Sequence, residues 1–132
     1  MAVTGVACDL CELHRDVCWV IRTDHFALVV GDEPIRYADD EEWALCGYCK
    51  RDVLADNQAP ILARRRTAFI RDTPEWRTLD DADRAACVQV LSLIIMTVLA
   101  TRQKAYGRAW TTQDEADASQ QVKEDGGRGK RN

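Results

Sequence analysis

Two pairs of cysteines constrain this sequence more than any other feature. Each pair has the form Cys-x-x-Cys: the first is Cys8 and Cys11, and the second is Cys46 and Cys49. A two-residue spacer lets both sulfurs of one turn reach the same ion, and zinc prefers four nitrogen or sulfur ligands in a tetrahedron. The spacing therefore predicts one closed, structural Zn²⁺ site with these four cysteines as its ligands.

Two residues near the first pair are alternative ligands. His14 lies three positions past Cys11, and Cys18 follows four positions later. Either residue could replace a cysteine in the ligand set, whereas a surface histidine and a small apolar thiol are the simpler interpretation. Cys87 lies among alanine and valine in a later apolar stretch, where a packed thiol is expected. The prediction remains the four paired cysteines, with His14 and Cys18 as substitutes.

Charge and composition narrow the location and the partners. The chain has 132 residues, which is enough for one domain, and a net charge of −4. Its first 60 residues carry 5 Lys and Arg against 12 Asp and Glu, and such an acidic surface repels phosphate backbones. The N-terminal ten residues lack the basic and apolar regions of a signal peptide. Six cysteines without such a signal indicate thiols or a metal rather than disulfides, so we expect a cytoplasmic protein.

The order of predicted elements indicates an α+β fold in the first part of the chain. Residues 19–30 are rich in β-branched and aromatic side chains and predict one or two strands, and residues 35–37 return as a short strand after a turn. A helix is predicted from Cys46 to Ala55, behind an acidic run at residues 39–42 that would favour its positive end.

A Cys-x-x-Cys knuckle, a hairpin and a second Cys-x-x-Cys on the first turn of a helix together resemble the treble clef. The resemblance implies a small zinc module built on the two cysteine pairs, and we assign it to residues 1–58. Free backbone N–H groups at the start of the helix would stabilise thiolates there.

The remainder of the chain is predicted to be helical and then disordered. Residues 59–110 form a helical segment that packs on the zinc module, on a partner, or on both. Within it, a short helix begins near Pro60, and a long helix runs from Leu79 to about Tyr106. Residues 111–132 contain a single large aliphatic residue and are expected to form a disordered tail.

The long helix is apolar on nearly every face. An exposed helix would keep a polar face, so part of this one is expected to contact a protein partner or a second copy of the chain. Its apolar stretch, residues 85–100, is sixteen residues long and rises about 24 Å, short of the roughly 30 Å membrane core, and charged residues bound both ends, so no membrane is expected. The candidate interface residues are Val90, Leu91, Ile94, Ile95 and Val98.

A basic run precedes the long helix. Arg64, Arg65 and Arg66, together with Arg71, are candidate contacts for nucleic acid or for a partner. Consecutive residues on a helix are turned by about 100°, so the three adjacent arginines cannot all meet one groove. Nucleic-acid binding therefore remains an alternative function.

Another pattern lies between the cysteine pairs. The dipeptide Asp24-His25 precedes Cys46 by about two dozen residues, a layout that resembles zinc-ribbon-bearing HNH endonucleases. The resemblance implies that Asp24 helps to hold a separate catalytic metal and that His25 is the general base that activates water. Lys50 stands where those enzymes carry a histidine after the last cysteine. An active or degenerate nuclease is a second alternative.

The stretches CDLC, VCWVIRTDHFALV and WALCGYCKRDVLAD are also similar to short actinobacterial or actinophage proteins with the order Cys-x-x-Cys, Trp-Ala-Cys-x-x-Cys. That resemblance implies a zinc-binding treble-clef core and no assigned activity. The favoured hypothesis is a non-enzymatic, zinc-stabilised interaction or regulatory module that binds a protein partner. The four tryptophans are candidate anchors for that partner: Trp19, Trp43, Trp76 and Trp110.

Overall fold

A small antiparallel sheet lies at the centre of the fold, in a computed structural model that describes residues 5–30, 32–37 and 41–125. In chain order the elements are β1 (Val17–Thr23), β2 (Phe26–Val30), β3 (Glu33–Tyr37), β4 (Glu41–Cys46), α1 (Gly47–Leu54), α2 (Gln58–Asp72), a 3₁₀ turn (Pro74–Thr78), α3 (Asp81–Thr101), β5 (Arg108–Ala109) and α4 (Thr112–Asp125). The sheet has the order β4–β1–β5, and β2 pairs with β3 in a separate hairpin. The predicted α+β class is confirmed.

The pairing of β1 with β4 brings distant parts of the chain together. Thr23 lies opposite Glu41 at one end of this antiparallel pair, and Val17 lies opposite Cys46 at the other, with an irregularity in register between Val17 and Trp19. The sequence predicts one or two strands within residues 19–30, and the structure has two, β1 and β2, of which β1 begins earlier, at Val17. The short return strand predicted at residues 35–37 is β3, which begins at Glu33.

The acidic run before the second cysteine pair does not lead directly into a helix. Glu41 and Glu42 begin strand β4, and the helix starts only at Gly47, with Cys46 as its N-cap. The physical reason is that Trp43 and Leu45 are buried in the main core while Ala44 is buried in a second cluster with Val17, a two-sided burial that suits a strand.

The main core lies between the sheet and the first three helices. Its buried side chains come from β1, β4, α1, α2 and α3, and they surround the four paired cysteines: Ile21, Trp43, Leu45, Val53, Ile61, Ile95 and Val98. The indole of Trp43 stacks on Phe26 at 6.4 Å between ring centroids, and its Nε1 donates to the buried Thr23 hydroxyl. Trp43 is thus a core residue and not a free anchor for a partner.

The long helix α3 is shorter than predicted, and it turns some of the candidate interface residues toward the chain's own core. It begins after Asp80, whose carboxylate accepts a hydrogen bond from the Asp83 amide, and it ends at Thr101. Three of the five candidate interface residues are buried in the chain's own core: Leu91, Ile95 and Val98. The interface prediction is therefore wrong for these three, because α3 packs this face against α2 and the sheet side of the molecule.

A helix replaces the predicted disordered tail over Thr112–Asp125. Thr111 and Asp114 cap it reciprocally: Asp114 accepts from the Thr111 amide at 2.8 Å, and Thr111 Oγ1 accepts from the Asp114 amide at 3.1 Å. Arg108 donates two hydrogen bonds to the same carboxylate, at 2.7 and 3.0 Å. These contacts hold α4 beside the sheet despite its few apolar residues. The rest of the predicted tail, residues 126–132, lies outside the described residues.

We expect Asp114→Asn to loosen α4, with about 1 kcal/mol lost from the capped helix start. Arg108 holds the pKa of Asp114 well below its usual range. A depressed folded-state pKa means that the stabilisation is present above the unfolded value, near ~4, and is lost as the pH falls. Once the pH is low enough to protonate Asp114, amide hydrogen exchange of α4 in the native protein should match that in the variant. The control, Asp117→Asn, removes the same charge from an exposed site and should leave α4 protected at neutral pH.

Candidate metal centre

Four sulfur atoms converge at one buried point between the knuckle and the first helix. Those of Cys8, Cys11, Cys46 and Cys49 lie within 4.8 Å of one another, and all four residues are buried. A tetrahedron with metal–sulfur bonds of about 2.3 Å has edges of about 3.8 Å, and the Cys11–Cys46 sulfurs are 3.9 Å apart. The four predicted ligands therefore form a cluster that could hold a metal ion.

The first pair is shaped by a tight turn that is tied to the sheet. The Cys8 amide donates to the His14 carbonyl, and the Glu12 amide donates back to the Cys8 carbonyl at 2.9 Å. Asp9 fixes this knuckle to β4, because its amide donates to the Ala44 carbonyl while its carboxylate accepts from the Ala44 amide at 2.7 Å. The knuckle sulfurs are thus positioned by backbone contacts with the strand that carries Cys46.

The second pair is placed by the transition from strand to helix. Cys46 is the last residue of β4, and its sulfur accepts a hydrogen bond from the Cys49 amide at 3.4 Å as the N-cap of α1. Cys49 lies in the first turn, where free N–H groups favour negative charge. The Cys46 sulfur is therefore both a helix cap and a candidate metal ligand.

The four thiols cannot all ionise by themselves at this site. Hydrogen bonds from Cys46 and Cys49 lower the pKa of Cys11, whereas hydrogen bonding to Cys11 raises the pKa of Cys8 and of Cys49 above the usual range. The contact with Cys11 raises the pKa of Cys46, but hydrogen bonds from Cys49 and Cys8 lower it on balance. The thiols that donate these bonds stay protonated, because a further negative charge beside a buried thiolate is repelled. A bound divalent cation would remove this conflict, since coordinated thiols are deprotonated.

Arg64 of α2 is the cation that the protein itself places against the cluster. Its Nη2 lies 3.3 Å from the Cys49 sulfur and 2.8 Å from Asp52 Oδ2. Its side chain is only 13% exposed, and that of Asp52 is 5% exposed. Burial of the guanidinium opposes its charge, but the hydrogen bonds to Cys49 and Asp52 raise the pKa of Arg64 above its usual value. Arg64 therefore links α2 to both the cluster and α1.

Two other arginines of the basic run, Arg65 and Arg71, also contact the knuckle. Arg65 pairs with the Glu12 carboxylate at 3.3 Å, and Arg71 donates to the Glu12 carbonyl at 3.2 Å. Glu12 has a left-handed backbone with φ of 55°. Arg66 is exposed. The charges of Arg64, Arg65 and Arg71 thus have partners within the fold, and contact of the run with nucleic acid or a partner stays a prediction.

The two substitute ligands lie beside the cluster and outside it. The His14 ring packs on Tyr48 with 4.9 Å between ring centroids, and Cys18 lies on β1 with its carbonyl accepting from the Trp110 amide. Within the described part of the chain, the only group of three or more metal-ligating side chains is the four-cysteine cluster.

Asp24 and His25 are exposed and lie in the connection between β1 and β2. Asp24 is held by the end of α3: its amide donates to the Thr101 carbonyl, and its carboxylate accepts from Gln103 at 3.0 Å. These contacts give Asp24 a role in joining the sheet to the segment that follows α3.

The four-cysteine arrangement has no counterpart that identifies a family. No protein-family model matches the chain, and comparison with curated proteins and with solved structures gives no match either. The function is therefore inferred from the chain's own geometry.

We expect the purified protein to contain one divalent metal ion per chain, and a strong chelator to lower its melting temperature sharply. Metal binding contributes on the order of 10 kcal/mol to the folding of small metal-dependent domains, so Cys46→Ser should abolish cooperative unfolding. Elemental analysis and circular dichroism measure both effects. Cys87→Ser, a thiol outside the cluster, is the control and should keep the metal. A purified protein that contains no metal, and whose melting curve is unchanged by the chelator, would contradict the assignment of a metal site.

Arg64→Met should destabilise the protein by about 2 kcal/mol, because it leaves the buried Asp52 with Arg51 alone and removes the donor to Cys49. Loss of the metal to a competing chelator should also become faster. The matched control is Arg66→Met, which removes the same charge from an exposed position two residues along the helix. Chemical denaturation and a chromogenic chelator measure the two effects. Equal behaviour of the two variants would show that the Arg64 contact contributes nothing.

Proposed function

We propose that this chain is a non-enzymatic interaction module whose scaffold is fixed by one structural Zn²⁺. Four clustered cysteine sulfurs suit zinc, which takes a tetrahedral shell in structural sites and binds thiolates strongly. The order of a knuckle, intervening strands and a helix that begins at the second pair supports a treble-clef-like description of the zinc module.

The closed ligand set supports a structural role for the metal. A catalytic zinc site keeps a position for water or substrate, and four cysteines leave none. The cluster is also fully buried, with each cysteine at zero exposure. The proposed role of the ion is to hold the knuckle, β4 and α1 together, which positions α2 and α3 on the same core.

The observation that carries the proposed interaction role is the outer face of α3. We call it the outer stripe, defined by six exposed residues: Ala82, Ala86, Gln89, Leu93, Met96 and Ala100. Leu93 and Met96 are 38% and 50% exposed, although they lie on a helix whose opposite face is buried in the core. A helix that is apolar on both faces needs a cover on both, so a protein partner on the outer stripe accounts for it.

A membrane is a poorer cover for this helix. By length and composition alone α3 could cross a bilayer. However, one side of it packs against α2 and the sheet, and Gln58 of α2 donates to its Ser92 hydroxyl at 2.8 Å. A helix held in a core with polar neighbours cannot also be surrounded by lipid, so the proposal takes protein as the partner class.

The test of this function is affinity capture from extracts of the cells that make the protein. Three baits are compared: the native chain, the stripe variant Leu93→Glu/Met96→Glu, and a control, Ala116→Glu/Ser119→Glu. The control adds the same two charges at the same spacing on the exposed surface of α4. We expect the native and control baits to retain at least one protein that the stripe variant does not retain. A second copy of this chain counts as such a protein. Identical captured sets for all three baits would refute the proposal.

A further inference from the structure

The outer stripe has the spacing of a two-helix interface. Its residues are separated alternately by four and three positions from Ala82 to Ala100. Apolar residues at this repeat keep one seam of a helix facing a second helix along its whole length. Within α3 the seam lies opposite the buried residues Leu91, Ile95 and Val98, so the helix presents one apolar seam to its own core and another to the outside.

Within the described residues no segment of the chain covers this seam, because its six residues stay exposed. The last helix, α4, joins the other side of the sheet, where Ala118 and Trp110 pack on Val6, Val17 and Ala44. We therefore take the cover for the stripe to be another molecule.

The stripe is complementary to itself when two copies run in opposite directions. Its N-terminal half is small, with Ala82 and Ala86, and its larger side chains, Leu93 and Met96, lie toward the C-terminus. An antiparallel pair centred near position 91 sets Ala86 against Met96 and Gln89 against Leu93. Each large side chain then meets a smaller one or an amide stem, as close packing of two helices requires.

Charge favours the same direction. The N-terminal end of α3 is acidic, with Asp80, Asp81 and Asp83 all exposed. Lys104, just past its C-terminal end, is 70% exposed and lies 3.7 Å from the carboxylate of Asp56 in its own chain, and no charged residue lies between Arg84 and Arg102. Antiparallel copies place the acidic end of one helix near Lys104 of the other and oppose the helix dipoles, whereas parallel copies place the acidic ends together.

We propose that the occupant of the outer stripe is a second copy of this chain, and that the two α3 helices pair antiparallel around position 91. The inference rests on the proposed function and specifies the partner. The pairing is isologous, since each copy contributes the same stripe, and it makes the protein a dimer with a zinc module at each side.

The first experiment measures the mass of the purified, metal-loaded protein by sedimentation equilibrium. We expect a dimer at micromolar concentration, and Leu93→Glu/Met96→Glu should weaken association at least about a hundredfold. The control Ala116→Glu/Ser119→Glu should stay dimeric. The four substituted positions are exposed, so all three chains should fold. Circular dichroism and metal content check this.

The second experiment reads the direction of the helices. One chain carries Ala82→Cys and a tagged second chain carries Ala100→Cys, both in a Cys18→Ser/Cys87→Ala background that leaves the four clustered cysteines in place. Mild oxidation of the mixture should give the mixed disulfide as the main product. A dominant disulfide between two copies of the Ala82→Cys chain would mean parallel helices and overturn the proposed pairing.

The failures of the two proposals are distinguishable. A native chain that stays monomeric at all accessible concentrations overturns the second copy as occupant, and a different protein lost from the stripe bait in the capture experiment would then sustain the proposed function alone. Flotation of the monomer with phosphatidylcholine vesicles, abolished by Leu93→Glu/Met96→Glu, would identify a bilayer as the occupant and overturn both.

Discussion

The convergence of four sulfurs is the contact on which the rest of the structure depends. The ligands come from two segments more than thirty residues apart, and the knuckle also meets β4 through the hydrogen bonds between Asp9 and Ala44. In a chain this small, apolar burial alone leaves little margin for stability. A metal bound at the cluster would add its own binding energy to folding, and the main core is arranged directly around the cysteines.

The uneven charge along the sequence is largely resolved inside the molecule. The acidic first half and the basic second half meet across the fold: Arg64 binds Asp52, Arg65 binds Glu12, and Arg108 binds Glu42. The basic residues that attract attention in the sequence are thus complements of nearby carboxylates. Of the large apolar side chains that stay exposed in the described residues, Leu93 and Met96 share the outer stripe, whereas Val29, Tyr48 and Leu54 lie elsewhere. The proposed partner contact is therefore on α3 and not on the arginine run.

The features predicted from the sequence are those encoded within a few residues. The Cys-x-x-Cys spacing identified the cluster, and β-branched runs identified β1 and β2. The role of Arg64 was not predictable, because it depends on how α2 lies across α1.

Two other features are visible in the sequence, but the composition around each of them favours a different interpretation. The capping pattern Thr111 to Asp114 precedes α4, whose polar composition suggested disorder. The repeat of the outer stripe was visible as well, yet all faces of α3 are apolar. Only the packing shows that Leu91 and Ile95 face inward while Leu93 and Met96 face outward.

Cys46 combines requirements that no other residue type meets. Its sulfur closes the ligand set, accepts the amide hydrogen bond that starts α1, and ends a strand whose register aligns the sheet with the knuckle. Serine or aspartate would cap the helix without a thiolate for the metal, and histidine would offer a ligand that reaches past the cap. A substitution at this position therefore disturbs the sulfur cluster and the first turn of α1 together.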